Sequence, residues 1–93
     1  MGTSKAEIRN WLTRAKAVGA THVIIACDTF DHEDYSVNVM PGEDVRAKAK
    51  KYDGQNMQRL MEVYALHLDL EQQLEEHRAF HYDGAPPTPP RNG

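Results

Sequence analysis

Residues 27–37, CDTFDHEDYSV, bring a thiol, four carboxylates (Asp28, Asp31, Glu33 and Asp34), a histidine and two aromatic rings into eleven positions. Oxygen ligands of this kind suit a hard cation such as magnesium or calcium. The spacing lacks the D-x-D-x-D-G-x5-E pattern of a calcium loop, and no second carboxylate motif follows that would complete a catalytic metal centre. The stretch therefore reads first as an acidic hairpin tip, where aspartate supports the turn. A metal-assisted hydrolase using Asp28, Asp31 and His32 is the enzymatic alternative. Asp28 stands apart, because strand alternation sets it on one face with Ile24 and Phe30. A carboxylate there needs a partner, expected to be an arginine or lysine from a helix. Cys27 falls on the face opposite His22, so the thiol lacks that base and reads as a small apolar side chain.

Two further groups could carry chemistry. Arg46, Lys48, Lys50, Lys51 and Arg59 lie near Tyr52 and Tyr64, and basic side chains beside aromatic rings suit phosphate and a stacked base. A solvated helix face is the plainer reading of such a run. No G-x-x-x-x-G-K-[ST] or G-x-G-x-x-G loop accompanies these residues, which argues against nucleotide triphosphate hydrolysis and dinucleotide redox chemistry. His77 and His81, with Asp83 beyond, have a spacing that chelates a transition metal, but one turn earlier stands Gln73, a poor ligand. Cations near a helix C-terminus explain these histidines as well. The site expected from the sequence is Asp28, Asp31, Arg46, Lys48, Tyr52, Arg59 and Tyr64, with no catalytic residue, metal ligand or cofactor assigned.

The elements that position these residues follow from apolar spacing. Ser4 and Glu7 make a capping box ahead of Ile8, Trp11, Leu12, Ala15 and Val18, and Gly19 closes an amphipathic first helix. Val23, Ile24 and Ile25 are consecutive and β-branched, which predicts a strand buried on both faces over 21–30. YSVNVM (35–40) is a second strand, and the short DHED between them predicts an antiparallel hairpin. Pro41 and Gly42 end it, EDVRAKAKKY forms a short helix, and Asp53-Gly54 stops that helix. From about Asn56 to His81 the spacing predicts one long helix with two apolar stripes. One holds Met57, Leu60, Met61, Tyr64 and Leu68; the other holds Val63, Leu66, Leu70 and Leu74. A small monomer needs to bury only one stripe, so the second predicts a dimer or higher oligomer, unless the first helix covers one stripe and the hairpin the other. A lone hairpin is marginal, so it must lie on helices or continue into a partner's sheet.

The expectation is an α+β fold of order α-β-β-α-α, with the hairpin packed on the first and the long last helix. It places one domain at 1–83 and a solvated, Pro-rich tail at 84–93. At 93 residues, with 40% hydrophobic and 27% charged side chains, the chain has the composition of a small globular domain, and small domains gain from association. The single cysteine excludes an intrachain disulfide and fits the cytoplasm. No apolar run reaches a membrane span, no leader-like h-region stands at the N-terminus, and a net charge of −3 does not fit a binder of extended nucleic acid.

The segment GATHVIIACDTFDHEDYSVNVMPGEDV and the later YDGQNMQRLMEVYALHLDLEQQLEEHRAFHY resemble a family of small uncharacterised bacterial and phage proteins. CDTFDHEDY, YDGQNMQ and EEHRAFHY carry the likeness, which spans nearly everything except the tail. The family has no established activity, so the resemblance implies no catalytic residues. Its phage association implies, by analogy, a sponge that sequesters a nucleotide-derived immune signal. The leading expectation is thus a non-catalytic homo-oligomer binding a small polar ligand. Arg46, Lys48 and Arg59 are assigned to phosphate, Tyr52 or Tyr64 to stacking, and Asp28 or Asp31 to hydroxyls or a base edge. Replacing Arg59 with alanine is then expected to weaken binding. Besides the hydrolase, the remaining alternative is a protein–protein adaptor using the second stripe and the PPTPP segment.

Overall fold

The computed structural model describes residues 4–54, 57–76 and 79–82, so the Pro-rich tail, His77 and Asp83 lie outside the described residues. The elements run α1 (Lys5–Ala17), β1 (His22–Asp28), β2 (Glu33–Val39), α2 (Val45–Lys50), β3 (Gln58–Ala65) and α3 (Leu70–Glu75). The strands form one antiparallel sheet of order β2-β1-β3. The fold is α+β as expected, and the first helix, the hairpin and the short helix form where the sequence places them.

Local chemistry explains those elements. Both halves of the capping box form at Ser4 and Glu7, and Gly19 takes φ +86° past the helix end. β1 is central and buried on both faces, so the sheet carries a layer on each side. Val23, Ile25 and Tyr64 pack with Ile8, Leu12 and Ala15 of α1 and Leu74 of α3. Ile24, Val39 and Val63 pack with Ala49 of α2, against Val45, Tyr52, Leu60 and Tyr82. Burying a Leu12-sized side chain contributes about 1.5–3 kcal/mol relative to exposure. Arg9 and Lys5 tie α1 to Glu71 and Glu75 of α3 across solvent, pairs that add little to stability.

The long C-terminal helix does not form. Residues 58–65 are a strand, a turn follows, and only Leu70–Glu75 is helical, capped by Asp69. A β-bulge explains the helix-like spacing: Ile25 pairs with Glu62 but Ala26 pairs with Leu60, leaving Met61 without an opposite residue. The extra residue resets alternation, so Leu60 and Val63 share the α2 side while Met61 and Tyr64 share the other. Pairs three apart, the mark of a helix face, thus arise in a strand. The supposed second stripe joins Val63 on one side of the sheet to Leu66 and Leu74 on the other, so it offers no surface to a partner.

After α3 the chain returns along β3. Phe80 bridges Val63 in parallel, with the Val63 N–H donating to Ala79 O and the His81 N–H to Val63 O, both at 2.9 Å. Gln73, expected on a helix face beside histidines, is 2% exposed. Its amide accepts from Ala65 N–H and donates to Ala65 O, again both at 2.9 Å, as another strand would.

Candidate functional site

The α2 layer supplies a concave group of basic and aromatic residues. The Asp44 side chain caps α2 by accepting from the N–H groups of Arg46 and Ala47. Arg46 and Lys50, one turn apart, project to the same side. Leu60 forms a wall from β3, Asp53 reaches in from the turn after α2, and Tyr82 arrives from the returning C-terminal segment. Together these five residues line an open hollow of about 260 Å³. The Arg46 guanidinium lies 4.8 Å from the Tyr82 ring centroid. A cation over an aromatic face gains about 0.5–1 kcal/mol at an exposed position. Tyr82 is held in turn by Phe80, stacked at 6.4 Å with 20° between the rings. His81 is fixed by Glu76, its Nε2 2.8 Å from Oε1. Glu76 reaches the histidine because the helix has already ended at Glu75.

This arrangement gathers a guanidinium and an ammonium, groups that suit an anion, with the edge of an aromatic ring and a carboxylate that can accept from a hydroxyl or base edge. It contains the elements of recognition, without a nucleophile paired to a base.

The other expected residues are distributed around the fold. Lys48 points away from the hollow: its Nζ bonds both carboxylate oxygens of Glu43, at 2.8 and 3.0 Å, and the Asn38 carbonyl at 3.0 Å. Lys48 and the Met40 N–H together hold the Glu43 carboxyl below the usual carboxylate range. Tyr52 packs edge-on against Tyr35, centroids 6.3 Å apart, and the Tyr35 hydroxyl accepts from Gln58 Nε2. Both tyrosines therefore serve the α2-side core.

Arg59 and Tyr64 face the opposite side of the sheet. Tyr64 is 1% exposed, its hydroxyl donates to Glu62 Oε1 at 2.7 Å, and burial pushes its phenol far above the ordinary value. Tyr64 is thereby removed from ligand stacking. Arg59 stands opposite Cys27 in the sheet, and Cys27 stands opposite Asp34. Burial and the Asp34 carboxylate push the Cys27 thiol up, with Arg59 opposing. The thiol is accordingly poorly ionised, in keeping with an apolar role.

At the hairpin turn, Asp28 Oδ1 accepts from the N–H groups of Phe30 (2.8 Å) and Asp31 (3.4 Å). Among the described residues its partners are these backbone amides, not the basic side chain expected from the sequence. Asp31 and His32 are exposed, and His32 takes φ 59° to complete the turn. Among the described residues no three His, Cys, Asp or Glu side chains gather as a metal site, so the hairpin acids fan out around the turn.

Of the seven expected residues only Arg46 lines the hollow. Lys50 was within reach of the sequence as the residue one helical turn beyond Arg46. Asp53, Leu60 and Tyr82 carry no such signal, because their meeting depends on the bulge and the returning segment. Among the described residues no helix is long and apolar enough to cross a membrane. Comparison with known proteins finds no match to this chain among protein-family models, curated proteins or solved structures.

Proposed function

We propose that this chain is a non-catalytic, homo-oligomeric binding protein whose α2 hollow takes a small phosphate-bearing ligand of nucleotide type. The observation that carries this reading is Arg46 over the Tyr82 ring in a hollow shared with Lys50, Asp53 and Leu60. A guanidinium can give two parallel bonds to phosphate, and the ring edge and Leu60 suit an apolar or planar group. A volume of about 260 Å³ lies just below the range typical of drug-sized ligands, so a mononucleotide or one end of a larger nucleotide fits best. Sequestration of a nucleotide-derived immune signal, as in a phage-type sponge, is the concrete form of this reading and draws on the resemblance of the hairpin and HRAFHY segments.

The test is isothermal titration with a nucleoside monophosphate, a cyclic mononucleotide and a cyclic dinucleotide. Saturable binding to at least one is expected. Arg46→Ala should weaken it about ten- to hundredfold, since a bond to a charged group contributes roughly 1.5–3 kcal/mol. Arg59→Ala, on the other side of the sheet, should leave it unchanged, in contrast to the expectation from sequence. Binding that survives Arg46→Ala but falls with Arg59→Ala would move the site away from the hollow. Absence of heat with all three ligands at millimolar concentration would remove the reading.

A further inference from the structure

The two edges of the sheet are finished differently. On the outer edge of β3, the Gln58 carbonyl accepts from Gly54 N–H at 3.0 Å, Val63 is paired on both its peptide groups with Ala79 and His81, and Ala65 is paired on both with the Gln73 amide. β2 lies at the opposite edge. The Val39 carbonyl turns inward to the Thr21 N–H at 2.7 Å, so the peptide groups of Asp34, Ser36, Asn38 and Met40 turn outward. The α2 region covers the far end of this row. The Met40 N–H donates to Glu43 Oε1 at 2.8 Å, and the Asn38 carbonyl accepts from Lys48 Nζ. Among the described residues nothing closes the Ser36 N–H and C=O or the Asn38 N–H.

We propose that this edge pairs, antiparallel, with the same edge of a second copy about a two-fold axis at Ser36, joining two three-stranded sheets into one. The proposal rests on the homo-oligomeric part of the reading above and names its surface. The occupant follows from self-complementarity. The covered Asn38 carbonyl and Met40 N–H bound the row on one side, and Ser36, with both its N–H and its C=O uncovered, sets the axis. In that register the Ser36 N–H and C=O pair with their equivalents and Asn38 stands opposite Asp34 of the second copy, while the Asn38 carbonyl stays with Lys48. On the α2 face Tyr35 lies beside Val37 of the second copy, an aromatic–β-branched cross-strand pair. On that face, too, Glu33 comes next to the Lys48 ammonium at Asn38 of the second copy. Each acid thus meets a base or an amide. Sliding the strands toward the turn brings the carboxylates of the two copies together, and sliding the other way runs into the covered Met40 N–H. The contact is isologous, so it closes on a dimer. The hollow lies on the β3 flank and remains complete within each chain.

Sedimentation equilibrium and light scattering on the full chain should give a dimer. Ser36→Pro removes an outward N–H, a change that edge strands tolerate, and should give a monomer with unchanged circular dichroism. Glu33→Lys, on an exposed side chain, sets two lysines against each other and should weaken the dimer about tenfold. Hydrogen exchange supplies a measurement free of substitutions: the Ser36 and Asn38 amides should be protected at high concentration and exchange rapidly on dilution. A monomer at all concentrations overturns the pairing, as does an oligomer indifferent to both substitutions or one whose Ser36 amide exchanges freely. Nucleotide titration of the same samples separates the two claims. A monomer that binds nucleotide overturns the edge pairing alone. A Ser36-dependent dimer that binds none supports the pairing and removes the ligand reading.

Discussion

Gln73→Leu tests how the β3 edge is closed. Gln73 is 2% exposed, and leucine, though one atom shorter, fills much of the same space, so the change acts chiefly on hydrogen bonding. It leaves the Ala65 N–H and C=O without their partners, each previously bonded at 2.9 Å, and also removes the bond from Gln73 Nε2 to Asp69 O. An unsatisfied buried backbone group costs roughly 1–3 kcal/mol, so two cost about 2–6 kcal/mol. Burying leucine offsets roughly 1–2 kcal/mol of this. A net loss of about 2–3 kcal/mol is expected, a large share of the 5–15 kcal/mol typical of a domain. For a chain of this size that lowers Tm by roughly 10–20 °C. Urea unfolding followed by circular dichroism measures the loss, and hydrogen exchange should show the Ala65 amide losing protection. Gln73→Glu adds a control, because its carboxylate repels the Ala65 carbonyl at neutral pH, whereas the protonated acid can donate to it. The deficit should therefore shrink in acid. A Gln73→Leu protein within about 0.5 kcal/mol of the parent would refute the reasoning, since water would then be replacing the amide.

Other outcomes follow from the same structure. Asp28→Asn keeps an acceptor for the Phe30 and Asp31 amides and should leave stability nearly unchanged, whereas Asp28→Ala should lose about 1 kcal/mol by thermal melting. Glu43 and Glu71 have carboxyl groups lowered by Lys48 and Arg9 respectively, so each stabilises the fold above the ordinary glutamate range. That contribution is lost as pH falls through the lowered values, and Glu43→Gln or Glu71→Gln should flatten the acid limb of the pH–stability curve. Cys27 should react with iodoacetamide more slowly than a free thiol at pH 8. Asp34→Asn should speed it and Arg59→Ala slow it further, because the acid raises and the base lowers the thiol's ionisation. In an alkaline absorbance titration Tyr64 should ionise only on unfolding, because its hydroxyl is buried and held by Glu62.

Local signals carried the sequence reading far in the first half of the chain. The capping box, the β-branched run and the Pro-Gly break each act within a few residues, and α1, β1, β2 and α2 form where those signals stand. Burial of β1 on both faces was legible as well, because Val23, Ile24 and Ile25 leave no polar side. The second half was not legible in the same way. Gln58–Leu66 is rich in helix formers and has no glycine or proline, and its bulge at Met61 counterfeits helical spacing. Pairing with β1 overrides propensity there. The same pairing separates Tyr64 and Arg59 from Arg46, onto opposite sides of the sheet.

Composition, caps and apolar pattern alone therefore determined a small α+β chain with an amphipathic first helix and an acidic hairpin. Tertiary structure alone decided which distant residues meet. Tyr82 comes beneath Arg46 only because the C-terminal segment pairs with Val63, and the β3 edge is closed only because Gln73 folds back onto Ala65. Side-chain periodicity reports the face on which a residue lies. Which strand edge stays open, and which groups converge on one hollow, depend on long-range backbone pairing that leaves no local mark.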